Sequence, residues 1–294
     1  MTQAILASLL DKDETSLQSA HARFLALGLG LLYLGEQALP YTTRDWQKFA
    51  IGKQEIADVT LETLKALPGE AGRFASLTVE MCAYTGTGNV LKVQKLLSIC
   101  AEHDEKEASH QGVAVLGIAQ VAMGEELGKQ MALRTFDHLL QYGEPPVRRA
   151  VPLALGLLYV GHPMVTVMDT LSKLSHDQDS DVAMAAIFSL GLIGAGTNNS
   201  RAAKLLRNLA TYYAKEAAHL SIVRIAQGLL HMGKGTLSLV PYHSHGIMHR
   251  VAMAGLLTVM YTALDLKNSK STSLKYKTKQ NKKTKKNTTS SSKT

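Results

Sequence analysis

Three short stretches hold residue types at spacings that chemistry could use. "ALGLGLLYLGE" (26–36) crowds Gly28, Gly30 and Gly35 together in the manner of a phosphate loop. Such a loop needs Gly-x-Gly-x-x-Gly between a strand and a helix, so that free amides at the helix start face the phosphate. Here the spacing differs, no strand-like run precedes it, and the glycines fall inside an apolar helical pattern. "GLLHMGKGT" (228–236) satisfies Gly-x-x-x-x-Gly-Lys but presents Gly235 where a magnesium-binding Ser or Thr is required. "YHSHGIMH" brings His243, His245 and His249 within seven residues. On a helix only His245 and His249 would share a face, and no acid or cysteine joins them, so a loop leading into a helix start is expected. Cys82 and Cys100, eighteen residues apart, have neither disulfide-framework nor zinc-knuckle spacing and suit a reducing compartment. These readings assign no catalytic residue, no cofactor, no cofactor-binding residue and no metal ligand.

The elements that carry these stretches form a repeat. An apolar run ending in glycine recurs six times, closing at Gly35, Gly86, Gly124, Gly161, Gly194 and Gly233, with spacings of 51, 38, 37, 33 and 39 residues. "VAMAGLLTVMYT" from Val251 reads as a seventh, incomplete copy. Seven residues before the closing glycine stand Gly28, Val79, Gly117, Ala154, Ile187 and Ala226; five before it stand Gly30, Met81, Ala119, Gly156, Ser189 and Gly228. Most are small. A glycine inside a helix costs about 1 kcal/mol relative to alanine, so its return in register points to close helix packing, and the closing glycine suits a left-handed helix stop. Each glycine precedes a second, amphipathic helix, as in 89–103, 128–143, 166–176 and 201–215. A nearly uncharged inner helix and an amphipathic outer one fill a period near 37–40 residues, the arithmetic of an α-solenoid.

Composition agrees. Hydrophobic residues make up 46% of the chain and aromatics only 5%, which favours an all-α fold with a core of Leu, Ala, Val, Ile and Met. The net charge of +8 is misleading, because ten lysines and no acid fall in 267–294, leaving 22 Lys+Arg against 24 Asp+Glu before it. The body is mildly acidic, so neither nucleic acid nor a membrane is expected as a partner. The uncharged run 150–168 is broken by Pro152 and by "GHP" at 161–163, which argues against a membrane span. The N-terminus lacks a basic region and a cleavage site, which argues against secretion.

Several segments carry a resemblance: "CAYTGTGNVLKVQKLLSIC", "HQGVAVLGIAQVAMGEELGKQMALRTFDHLLQYGEPPVRRAVPLAL", "DTLSKLSHDQDSDV", "GAGTNNSRAAKLLRNLA" and "AQGLLHMGKGTLSLVPYHS". Over 1–35 and 52–268 the chain resembles proteasome/cyclosome-repeat proteins, and among them the smaller of the two large non-ATPase scaffold subunits in the base of the proteasome regulatory particle. The resemblance implies a non-enzymatic docking subunit of the cytoplasm and nucleus. Its implied partners are the ATPase ring, other regulatory-particle subunits, ubiquitin, ubiquitin-like shuttle receptors and a deubiquitinase, met by acidic and apolar residues of outer helices. No contact residue is carried over. A stand-alone helical-repeat adaptor, nuclear through its basic tail, is the alternative.

Three departures from the family mark this chain. "EQALPYTTRDWQKFAI" (36–51) interrupts a place where the family runs straight on, and is either a surface loop or a translated intron. "DEKEAS" (104–109) is shorter than the usual acidic insert. The tail 267–294 replaces a further repeat, has almost no apolar residues, and is expected to be disordered; its "KKTKK" (282–286) resembles a nuclear-import cluster. The expected domains are thus an α-solenoid over 1–266 and the tail. The chain begins inside a repeat, and six or so repeats form an open arc rather than a ring. Its ends expose apolar faces, so residues 1–266 alone are expected to be marginally soluble or to self-associate; sharp, concentration-independent monomer behaviour in sedimentation would contradict this.

Overall fold

A computed structural model describes residues 2–10, 19–35, 59–67, 69–102, 109–243 and 246–264. The insert 36–51 and the tail 267–294 lie outside these residues, as does most of "DEKEAS". Every regular element among the described residues is helical. The helices are α1 (Thr2–Leu10), α2 (Ala20–Leu32), α3 (Gly69–Ala83), α4 (Val90–Cys100), α5 (Ser109–Ala122), α6 (Glu126–Tyr142), α7 (Pro145–Leu158), α8 (Val165–Leu174), α9 (Ser180–Ile193), α10 (Ser200–Tyr212), α11 (Ala217–Leu230) and α12 (Arg250–Leu264). Residues 59–65 are also helical.

Two layers follow from the two kinds of sequence. α2, α3, α5, α7, α9 and α11 stack in that order, each against the next. They are the six glycine-ended apolar runs, and α5 is buried at every position from His110 to Ala122. The outer helices α4, α6, α8 and α10 lie over this row, each packed on the inner helix that follows it. They bury only one stripe, such as Ala202, Leu206 and Leu209 of α10. Asn89 and Asn199 start α4 and α10 by accepting two backbone amides each, the usual work of an N-cap side chain.

Small residues set the spacing of the inner row. A Cβ at Gly156 would meet the Ser189 backbone at 3.1 Å, one at Gly191 would meet Ala226 Cα at 2.6 Å, and one at Gly30 would lie 3.2 Å from the Thr78 carbonyl oxygen. Gly117 fits against Met81 from the other side. Two positions in the expected register depart from this: Gly28 and Gly228 have nothing within 4 Å of an added Cβ. They face away from their one inner-helix neighbour at the two ends of the row.

The turns stitch the row together. Gly35, Gly86, Gly161 and Gly196 donate their amides to the carbonyls of Cys82, Gln120, Leu192 and Leu229 in the next inner helix. The expected stop at Gly194 is therefore two residues early: Gly194 has φ of −82°, whereas Gly196 is left-handed at φ of 68° and makes the cross-repeat bond. "TGTG" (85–88) and "AGTN" (195–198) build the same double stitch, with Gly88 donating to Val121 and Asn198 to Leu230. Asn198 takes a left-handed φ of 49° there, which asparagine tolerates better than most residues. Gly124 also lacks the expected left-handed turn; it lies flush against the Gly86 backbone.

The seventh copy is a helix but does not continue the row. After α11 the chain turns through Met232–Gly235 and doubles back as an extended strap over the turns. Leu237 sits on Gly196, Val240 on Gly161, Tyr242 on Gly86 and Met248 on Gly35. α12 then packs on α7, with Tyr261 edge-on to Phe74 of α3 at 6.2 Å and Leu264 against Gly112 of α5. Since α6 covers the opposite side of α7, α12 occupies the face of the inner layer turned away from the outer helices. Its apolar face was legible; its partner was non-local.

Gly191→Val should cost about 1–3 kcal/mol, because backbone meets backbone there and neither side can yield. Gly228→Ala, in open space on a helix, should be neutral or stabilise by up to about 1 kcal/mol. Denaturant unfolding of the two variants checks the contrast.

Candidate interaction surface

The stretches that could have carried chemistry are absorbed by the fold. Gly228 lies within α11, Gly233 and Lys234 are consecutive left-handed residues, and the Lys234 and Thr236 amides are bonded to His231 and Gly233 carbonyls. Those amides do not converge on a space that a phosphate could fill. His249 caps α12, its Nδ1 accepting the Ala252 amide at 3.1 Å. His243 lies 5.7 Å from it, ring to ring, and His245 is outside the described residues. Among the described residues no three His, Cys, Asp or Glu side chains are grouped as a metal site. Both cysteines are buried, and burial pushes each thiol up to about 12. Cys82 is spent on packing, its Sγ against Gly30. No described helix is long and apolar enough to cross a membrane.

One constellation was invisible to spacing. Ser180 Oγ lies 3.3 Å from His219 Nε2, and Glu216 Oε2 lies 2.7 Å from His219 Nδ1. The order of contacts is that of a hydrolytic triad, yet Asp179 and Asp181 flank the serine, and two carboxylates oppose any negative charge developing there. The His219 ring stacks on Tyr213 at 4.5 Å, and Tyr213 donates its hydroxyl to the Ser175 carbonyl at 2.6 Å. This cluster joins the α8–α9 turn to the start of α11 and works as a tie between repeats. Arg149 to Asp179 at 2.8 Å and Arg201 to Asp169 at 2.6 Å are further ties.

A second unforeseen group is Glu80, an acid in inner helix α3. It accepts from Lys92 Nζ at 2.6 Å and Lys95 Nζ at 2.7 Å, both on α4. Burial pushes its carboxyl up, but the two lysine hydrogen bonds and charges outweigh that and hold it below the usual range. Lys92 also lies 4.4 Å over the Tyr84 ring. The sequence signal was an acid inside an apolar run, answered by two lysines on the next helix.

The outer layer is open to a partner, and its helices differ. α6 exposes Leu127, Met131 and Tyr142 at 68%, 56% and 74%, interspersed with the exposed Arg134 and Asp137 and with Glu126, which pairs with Lys129. α10 instead exposes Arg201, Lys204 and Arg207, a basic stripe. Large exposed apolar side chains beside charge are the makings of a protein-binding face.

Residues 185–217, from α9 into α11, match the proteasome/cyclosome repeat family. The chain is 53% identical over 268 residues to the 26S proteasome non-ATPase regulatory subunit 2 homolog A of Arabidopsis thaliana, covering 91% of this chain and 28% of that protein. It is 55% identical over 263 residues to the 26S proteasome non-ATPase regulatory subunit 2 of Dictyostelium discoideum, covering 89% and 27%. With the 26S proteasome regulatory subunit rpn1 of Schizosaccharomyces pombe the identity is 49% over 271 residues, covering 90% and 28%. The chain thus spans little more than a quarter of the length of the relatives it matches.

Because Glu80 titrates lower in the folded chain than the roughly 4.3 of an unfolded glutamate, its contribution is present above that pH and is lost as pH falls through the folded value. Glu80→Gln should therefore destabilise by on the order of 1–2 kcal/mol near neutral pH, discounted for the half-exposed Lys95. The gap to wild type should close on acidification below about pH 4, as thermal or urea unfolding at several pH values would read.

Proposed function

We propose, from the repeat match at 185–217 and the long similarity to a segment of the 26S proteasome non-ATPase regulatory subunit 2 relatives, that the chain is a proteasome/cyclosome-repeat protein and a non-catalytic scaffold and docking element of the proteasome regulatory particle. In this reading it rests against the ATPase ring and other regulatory-particle subunits, in the cytoplasm and nucleus. It supports ubiquitin-dependent degradation by presenting outer helices to ubiquitin, ubiquitin-like shuttle receptors and a deubiquitinase. The observation that carries the reading is the long match at about half identity. α6 is the helix best suited to a ubiquitin fold, since its exposed Leu127, Met131 and Tyr142 offer the apolar surface that an apolar patch on such a fold needs. The basic stripe of α10 lacks it.

Affinity purification of the chain from cells that express it should recover proteasomal ATPases and ubiquitin-system proteins; recovery of neither would overturn the assignment. Met131→Asp should weaken ubiquitin capture several-fold, while Arg207→Glu on α10 should leave it unchanged or strengthen it.

A further inference from the structure

From Ser200 to Lys215 the chain carries the cations Arg201, Lys204, Arg207 and Lys215 and no acid, although residues 1–266 hold 22 Lys+Arg against 24 Asp+Glu. The other outer helices are balanced or internally paired. α6 sets Glu126 and Asp137 against Lys129 and Arg134, and α8 sets Asp169 against Lys173; the two lysines of α4 are held by Glu80. Positive charge without an answering acid is therefore concentrated on α10.

Those cations stand where a partner would meet them. α10 buries Ala202, Leu206 and Leu209, and the helical period puts Lys204 and Arg207 on the opposite side, flanked by Arg201, Asn208 and Tyr212. All five are exposed, Tyr212 at 66%. Ser200, Arg201, Lys204, Arg207 and Asn208 line a shallow, open depression. Arg201 pairs with Asp169, both side chains about half exposed at 50% and 49%. Such a pair contributes at most about 1 kcal/mol, so Arg201 can exchange it for an incoming carboxylate at little cost. Among the described residues Lys204 and Arg207 have no carboxylate in ion-pair range; Arg207 only turns its Nε back to the Ala203 carbonyl of its own helix.

We infer that the outward face of α10 is a docking surface for an acidic helical segment of a partner protein. Charge complementarity sets the sign of the partner, and spacing sets its form. Arg201, Lys204 and Arg207 follow one another at three-residue intervals, about 4.5 Å apart along the axis. Carboxylates three or four residues apart on another helix recur at that interval, whereas alternate residues of an extended strand stand about 6.8 Å apart. Tyr212, at the far end of the face, offers an amphipathic ring for one apolar contact. A nucleic acid fits less well: its closely spaced phosphates would meet three cations over about 9 Å and then helices of mixed charge on a mildly acidic body. The inference rests on α10 alone, so failure of ubiquitin capture by α6 would leave it standing.

Fluorescence anisotropy of the full chain tests it, with a labelled Ala-rich synthetic peptide bearing Glu at three- and four-residue intervals and the same peptide with Gln for every Glu. The Glu peptide should bind, weakening several-fold as salt is raised, and the Gln peptide should not. Lys204→Glu with Arg207→Glu should weaken binding at least tenfold, with Lys204→Gln and Arg207→Gln in their place should that variant fail to fold by circular dichroism. Lys285→Glu with Lys286→Glu makes the same change of net charge in the tail and should leave binding within twofold. No binding by the wild type, equal binding of the Gln peptide, or a tail variant that loses as much as the α10 variant would overturn the inference. So would tighter, α10-dependent binding of a single-stranded oligonucleotide or of phosphatidylserine vesicles.

Discussion

Everything in this molecule depends on how closely consecutive inner helices approach. At Gly156 and Gly191 a helix backbone lies against the neighbouring backbone or its Cβ, a spacing that only glycine, alanine or serine permits. That approach brings each turn within reach of the next helix, so the closing amides reach across to carbonyls of the following repeat. It also removes the middle helices of the inner layer, α5, α7 and α9, from water over most of their length. The glycines weaken their own helices, and the array recovers that loss as dispersion contacts and cross-repeat hydrogen bonds.

The strap and α12 extend the same constraint. A row of glycine turns, aligned by the stitching, forms a track without side chains along one edge of the array, and the segment after α11 lies in it. Any Cβ at Gly86 or Gly161 would strike Tyr242 or Val240, so those glycines answer to two demands at once, a left-handed turn and a covered one. α12 then closes the exposed face of the inner row. Stability of this kind is a sum over neighbouring contacts, with the strap coupling repeats distant in sequence.

Much of this was legible. An uncharged run such as "HQGVAVLGIAQVAMG" followed by an amphipathic one gave the two layers, because burial on all sides and on one side leave different residue patterns. Gly30 and Gly156 were read correctly as close-packing sites. Gly28 and Gly228 show the limit: a small residue states that a neighbour is permitted, and only the fold states whether one is there. In "GAGTN" two glycines competed for the turn, and the hydrogen bond to Leu229, thirty-three residues on, selected Gly196. α12 has the periodicity of an inner helix, so its displacement was invisible locally. Ser180, Glu216 and His219 meet across one repeat, a distance that spacing rules do not span.

The central claim is that the closing amides are structural bonds between repeats rather than solvated turns. Native-state hydrogen exchange of the Gly86, Gly161 and Gly196 amides, followed by NMR, measures this directly. The account predicts protection comparable to that of the buried amides of α5 and α7, with Gly233, at the end of the row, exchanging far faster. Equal and rapid exchange at all four glycines would contradict it.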